Sequence, residues 1–123
     1  MENINYADLF TLERGEVLSF PNFSMQYIGK YQDVVPERFP NKKSGLFRGD
    51  EFTIKSSQEE KKLKVSEGSG IISNIRFEVD GQPYSYCYVK SNEGNILRNT
   101  IIKGEIRSHP VLEERELLGF KQP

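Results

Sequence analysis

Cysteine and histidine are almost absent from this chain, whose 123 residues include one of each, Cys87 and His109. A single cysteine cannot form an internal disulfide, so a small secreted fold stapled by bridges is excluded and a reducing compartment is expected. A single histidine leaves no His-based metal cluster and no pair of histidines for acid–base catalysis. The sequence therefore predicts neither a metal site nor a cofactor.

An excess of charge of one sign and long apolar runs are missing as well. Lys plus Arg numbers 17 and Asp plus Glu numbers 18, which gives a net charge of −1. This balance argues against binding to duplex nucleic acid, which relies on a concentrated basic face. No apolar run reaches the roughly 18 residues of a membrane span, and the N-terminus has no signal-peptide pattern. We therefore expect a soluble, cytoplasmic protein that binds neither membranes nor duplex nucleic acid.

Apolar and polar residues alternate through the middle of the chain, a pattern typical of strands buried on one face. The clearest stretches are FSMQYIGKY at 23–31, EFTIKSSQEEKKLKV at 51–65 and ISNIRFEV at 72–79. Near the C-terminus, SHPVLEERELLG at 108–119 has a proline at the first helical position and ends on glycine, which predicts a short helix. The sequence thus predicts one mainly β domain over 1–123, an antiparallel β-sandwich or small β-barrel of six to seven strands with a short C-terminal helix.

Three segments depart from this alternation. The range 34–50, VVPERFPNKKSGLFRGD, is rich in proline, glycine and charge and predicts a long irregular connection. Residues 5–14 are compatible with a short helix or with a strand. In 96–102 the doubled apolar pairs Ile96-Leu97 and Ile101-Ile102 indicate a bulge or a strand covered on both faces.

Three tyrosines occupy every second position of VDGQPYSYCYV at 79–89. The Asp-Gly dipeptide between alternating strands predicts a hairpin with a two-residue type I′ turn. That turn gives three cross-strand pairs, Phe77–Tyr84, Ile75–Tyr86 and Ser73–Tyr88. Cross-strand partners share a face, so the rings would lie on the more apolar side, whereas a three-residue loop would shift the register and move them to the polar side. We favour the two-residue turn because pairs of aromatic and β-branched residues stabilise a sheet.

The sequence predicts a non-enzymatic binding module, because its chemistry-bearing residues form no recognisable catalytic pattern. Its six Tyr and eight Phe favour a protein partner or an apolar ligand, held by an aromatic-lined face. The residues predicted to bind are Tyr27, Tyr84, Tyr86 and Tyr88, with Arg76 and Arg98 as charged anchors.

Three other functions are compatible with the same sequence. One is a small enzyme that uses carboxylates or tyrosine as acid or base at a barrel mouth. Another is a structural or assembly protein that forms a homo-oligomer through its strand edges. The third is a barrel that binds single-stranded nucleic acid through the basic loop at 42–48.

Overall fold

The computed structural model describes residues 2–35, 45–66 and 72–105 of the chain. These residues form eight strands: β1 (Glu2–Asn3), β2 (Val17–Ser19), β3 (Ser24–Val35), β4 (Gly45–Lys55), β5 (Glu60–Ser66), β6 (Ile72–Val79), β7 (Gln82–Lys90) and β8 (Ile96–Lys103). The protein is therefore mainly β, as predicted, and its described part contains no helix. The helix predicted over 108–119 lies outside the described residues.

The strands form two sheets. The first sheet has the order β1-β2-β3-β4-β5 and the second sheet the order β6-β7-β8. All neighbouring strands are antiparallel except β1 and β2, which are parallel. Aromatic rings meet between the two sheets. The ring centroids of Phe52 in β4 and Tyr86 in β7 are 5.2 Å apart, and those of Phe23, directly before β3, and Phe77 in β6 are 5.8 Å apart. No backbone pairing among the described strands joins the sheets, so the closure that a barrel requires is not observed.

Strands β3 and β4 extend further than the sequence pattern indicated. Their pairing continues to Val35 opposite Gly45, so 34–35 and 45–50 are strand and not part of an irregular connection. The remaining residues of the predicted connection, 36–44, lie outside the described residues. The composition of the whole range concealed this extension of the strands, because both of its prolines lie in 36–44, whereas the strand parts contain Val34, Val35 and Phe47, residue types that favour strands.

The alternation predicted for the middle of the chain is confirmed. Phe52 pairs with Leu63 inside the molecule, and Lys62 and Lys64 on the same hairpin face water. The predicted irregularity in β8 is a bulge, because Val89 pairs with Arg98 and Lys90 with Ile96, which leaves Leu97 as the extra residue.

Residues 4–16, called here the N-terminal segment, form neither a helix nor a strand. This segment connects β1 to β2 in the first sheet and passes beside β8 of the second sheet. The backbone N–H of Ala7 donates to the carbonyl of Ile101 at 2.8 Å, and the Thr100 hydroxyl donates to the carbonyl of Asp8 at 2.6 Å. Side-chain and backbone groups of β8 therefore hold in place a segment whose local sequence specifies no regular structure.

Candidate functional site

The hairpin that carries the tyrosine row has the predicted register. Its turn residues Asp80 and Gly81 have φ values of 51° and 81°, which are the positive values of a type I′ turn. Val79 pairs with Gln82, so the three predicted pairs, Phe77–Tyr84, Ile75–Tyr86 and Ser73–Tyr88, are all present. The three rings lie on the inner face of the second sheet and are at most 1% exposed.

Tyr84 is a packing residue. Its ring lies 5.0 Å from that of Phe23, 5.5 Å from that of Tyr6 and 5.7 Å from that of Phe77. Edge-to-face and offset pairs at these distances add stability beyond the burial of the rings. This end of the interior is thus the most aromatic part of the described core.

Tyr86 combines packing with a buried hydrogen bond. Its hydroxyl donates to Oδ1 of Asn99 at 2.8 Å, and Nδ2 of Asn99 donates to the carbonyl of Phe10 at 2.5 Å. Burial, and next the charge of Asp50, raise the pKa of Tyr86 well above its ordinary value, so the hydroxyl stays protonated and acts as a donor. Tyr86 therefore links the tyrosine row to β8 and to the N-terminal segment.

Tyr88 is also fully buried, but its hydroxyl has no hydrogen-bond partner among the described residues. The ring stacks on Tyr86 at 5.4 Å, and Nζ of Lys90 lies 5.2 Å from the ring centroid. Lys90 is only 2% exposed and donates from Nζ to the carbonyl of Ser66 at 2.5 Å. The surroundings of the inward-facing residues of β7 thus change from apolar at Tyr84 to polar at Lys90.

Tyr27 faces the same interior from the first sheet. Its hydroxyl donates to Oδ1 of Asp50 at 2.6 Å, and Asp50, 2% exposed, also forms an ion pair with Lys30 at 3.2 Å. Nζ of Lys30 reaches the carbonyl of Gly94 at 3.0 Å, in the turn between β7 and β8. Burial, and next the bond to Asp50, raise the pKa of Tyr27, so at neutral pH its hydroxyl is a donor that helps to fix the buried carboxylate.

The unpartnered hydroxyl of Tyr88 gives a testable difference between neighbouring tyrosines. Tyr88→Phe is expected to leave the free energy of unfolding unchanged or to raise it by about 1 kcal/mol, because a buried hydroxyl without a partner is costly. Tyr86→Phe is expected to lower it by about 1–2 kcal/mol, because Asn99 loses its donor. Urea unfolding of both variants measures the difference, and an equal loss in the two would contradict it.

The two arginines predicted as anchors do not join the tyrosines. Arg76 lies on the outer face of the second sheet, where Nη1 pairs with Oε1 of Glu105. The two side chains border a polar groove of about 310 Å³ with Asn74 and Ser85. Arg98 lies at the other edge of the sheet, on β8. The structure therefore brings Tyr84, Tyr86 and Tyr88 together, places Tyr27 opposite them and leaves both arginines on the surface.

A second surface feature was not predicted. A groove of about 370 Å³ lies between β1, the N-terminal segment and the start of β8, and is called here the leucine groove; its lining residues are Glu2, Leu9, Phe10, Thr11, Leu97 and Arg98. Leu9 and Leu97 are 57% and 61% exposed, the highest values among the large hydrophobic side chains described. The only feature of the sequence that pointed to this groove was the doubled apolar pair Ile96-Leu97. The bulge at this pair turns Leu97 outward.

Cys87 has no features of a reactive thiol. It is fully buried in the central strand of the second sheet, and this burial raises its pKa to about 11. A protonated thiol is a poor nucleophile at neutral pH. Among the residues described, no group of three or more His, Cys, Asp or Glu side chains is placed to hold a metal ion.

Within the described ranges, the structure has no helix of the length and apolar character needed to cross a membrane. No protein-family model matches this chain, and the comparisons with curated proteins and with solved structures also return no match.

Proposed function

We propose that the protein is a non-enzymatic binding module that engages a protein partner through the leucine groove. The observation that carries this proposal is the convergence of Leu9 and Leu97, more than half exposed, in one groove. Exposed apolar side chains scattered singly are ordinary on protein surfaces, but a shared groove is typical of a contact site. The tyrosines of β7 are at most 1% exposed, which favours the leucine groove over the aromatic-lined face as the contact surface.

The chemistry of the groove favours a segment of another protein. Its lining combines the apolar side chains of Leu9, Phe10 and Leu97 with the exposed charged residues Glu2 and Arg98, which are of opposite sign. An apolar centre with a polar rim is the usual composition of a protein–protein interface. The expected partner segment presents one apolar side chain between the two leucines and charged groups that complement Glu2 and Arg98.

Selection of short peptides from a displayed library against the folded chain tests this proposal. We expect enriched peptides that carry an apolar residue next to charged ones. Leu97→Asp is expected to weaken their binding at least about tenfold, a loss of about 1.4 kcal/mol or more, because it places a charge among the apolar side chains of the groove. Isothermal titration calorimetry with a synthesised peptide provides the measurement.

Ile28→Asp is the matched control, since Ile28 is 36% exposed on a different part of the surface, at the bulge of β3. This variant is expected to bind the peptide within about twofold of the unchanged chain. A selection that enriches no peptide, or peptides that bind Leu97→Asp and the unchanged chain equally well, would rule out the leucine groove as the contact site.

A further inference from the structure

Strand β6 is an outer strand of the second sheet, and half of its backbone groups face away from β7. The type I′ turn makes Val79 and Gln82 a hydrogen-bonded pair, so Phe77, Ile75 and Ser73 also bond to β7. The intervening residues point their N–H and C=O groups to the outside of the sheet; they are Ile72, Asn74, Arg76 and Glu78. Lys61 confirms this direction, because its Nζ reaches the carbonyl of Glu78 from the first sheet.

This outward edge is open from 72 to 76 as far as the described residues show. Lys61 covers the edge only at Glu78, and no described strand pairs with β6 on this side. The outer strand of the first sheet differs, since β5 carries Lys61, Lys62 and Lys64, and lysines on an edge strand oppose pairing with another chain. In the open part of β6, Ile72 is 40% exposed and Arg76 is paired with Glu105.

We propose that this edge pairs antiparallel with the same edge of a second copy of the chain, with Asn74 on the two-fold axis. In that register Asn74 faces the second copy's Asn74, and the two amides complement each other as donor and acceptor. Ile72 lies beside the aliphatic part of the second copy's Arg76, and the covered carbonyl of Glu78 stays outside the pairing.

The pairing satisfies the outward N–H and C=O groups of residues 72, 74 and 76 in both copies, and it joins two three-stranded sheets into one of six strands. Because β6 and β8 are opposite edges of the second sheet, the leucine groove stays accessible in this dimer. The dimer is therefore independent of the binding function proposed above.

Analytical ultracentrifugation of the full chain tests the dimer. The unchanged protein is expected to sediment with twice the 14.2 kDa mass of one chain. Asn74→Asp and Asn74→Lys are each expected to raise the dissociation constant at least about tenfold, because like charges directly opposite each other destabilise a strand pair. An equal mixture of the two variants is expected to regain the dimer, since Asp then faces Lys.

Lys62→Glu, on the outer strand of the first sheet, is the matched control and is expected to leave the dimer unchanged. Thermal unfolding of each variant checks that it is folded. We expect the Asn74 variants to fold, because Asn74 is exposed. A monomer at every concentration, a dimer that neither Asn74 variant weakens, or a mixture that stays monomeric would overturn the proposal. A dimer lost in Lys62→Glu or in Leu97→Asp and kept in the Asn74 variants would overturn it too, since it would place the interface elsewhere.

Discussion

Tyr86→Ala is expected to lower the free energy of unfolding by about 3–5 kcal/mol, the range for removing a buried aromatic ring. The ring is fully buried and contacts rings on both sides, Phe52 at 5.2 Å and Tyr88 at 5.4 Å. Alanine would leave a cavity between the two sheets and remove the donor to Asn99. A domain of this size has about 5–15 kcal/mol of stability in total, so the loss is a large part of it.

Urea unfolding followed by circular dichroism measures this loss, with Tyr86→Phe as the control. The phenylalanine variant keeps the ring contacts and removes only the hydroxyl, so the difference between the two variants isolates the contribution of packing. A loss below about 1 kcal/mol for Tyr86→Ala would show that the ring does not support the core in the way described.

Gly49→Ala is expected to destabilise the protein by about 3 kcal/mol, at the upper end of what an overpacked position costs. A Cβ atom at Gly49 would lie 2.0 Å from the carbonyl oxygen of Val65 and 2.9 Å from Cε1 of Tyr31. The first of these contacts is with the backbone of the neighbouring strand β5, which cannot move without disturbing the ladder. The shift in the midpoint of thermal unfolding measures the effect.

Gly15→Ala is the matched control for this substitution. Gly15 has a φ of 84°, and an added Cβ meets no atom within 4 Å, so alanine there causes backbone strain without a clash. The expected loss is about 1–2 kcal/mol, the cost of a left-handed conformation for a residue with a side chain. Equal losses of stability in the two variants would mean that the close approach of β5 to Gly49 does not affect the stability of the protein.

The tyrosine row was predictable because its determinants are local. Asp80 and Gly81 select a two-residue turn, the turn fixes the register, and the register fixes the face of every residue on β6 and β7. Few other contacts are needed to specify this hairpin. The inward direction of the three tyrosine rings could therefore be predicted from a short stretch of sequence.

The polar contacts around that row were not predictable, because they join residues distant in the chain. Tyr27 and Asp50 are 23 positions apart, and Asn99 and Phe10 are 89 apart. The leucine groove also depends on distant residues, since Leu9 and Leu97 line one groove only after the N-terminal segment has bonded to β8. Neither strand periodicity nor turn chemistry carries information on such pairs, whose positions depend on how the sheets are arranged.

The bonds between the N-terminal segment and β8 have a consequence for the order in which the protein is completed during synthesis. Asp8 accepts its bond from Thr100, which is synthesised 92 residues later. At about 5–20 residues per second, Asp8 waits roughly 5–18 s for this partner. Such distant pairings are also slow to form, as is usual for β proteins. During this interval Phe10 has no β8 to bond to, so the N-terminal segment can complete its packing only after β8 has been made.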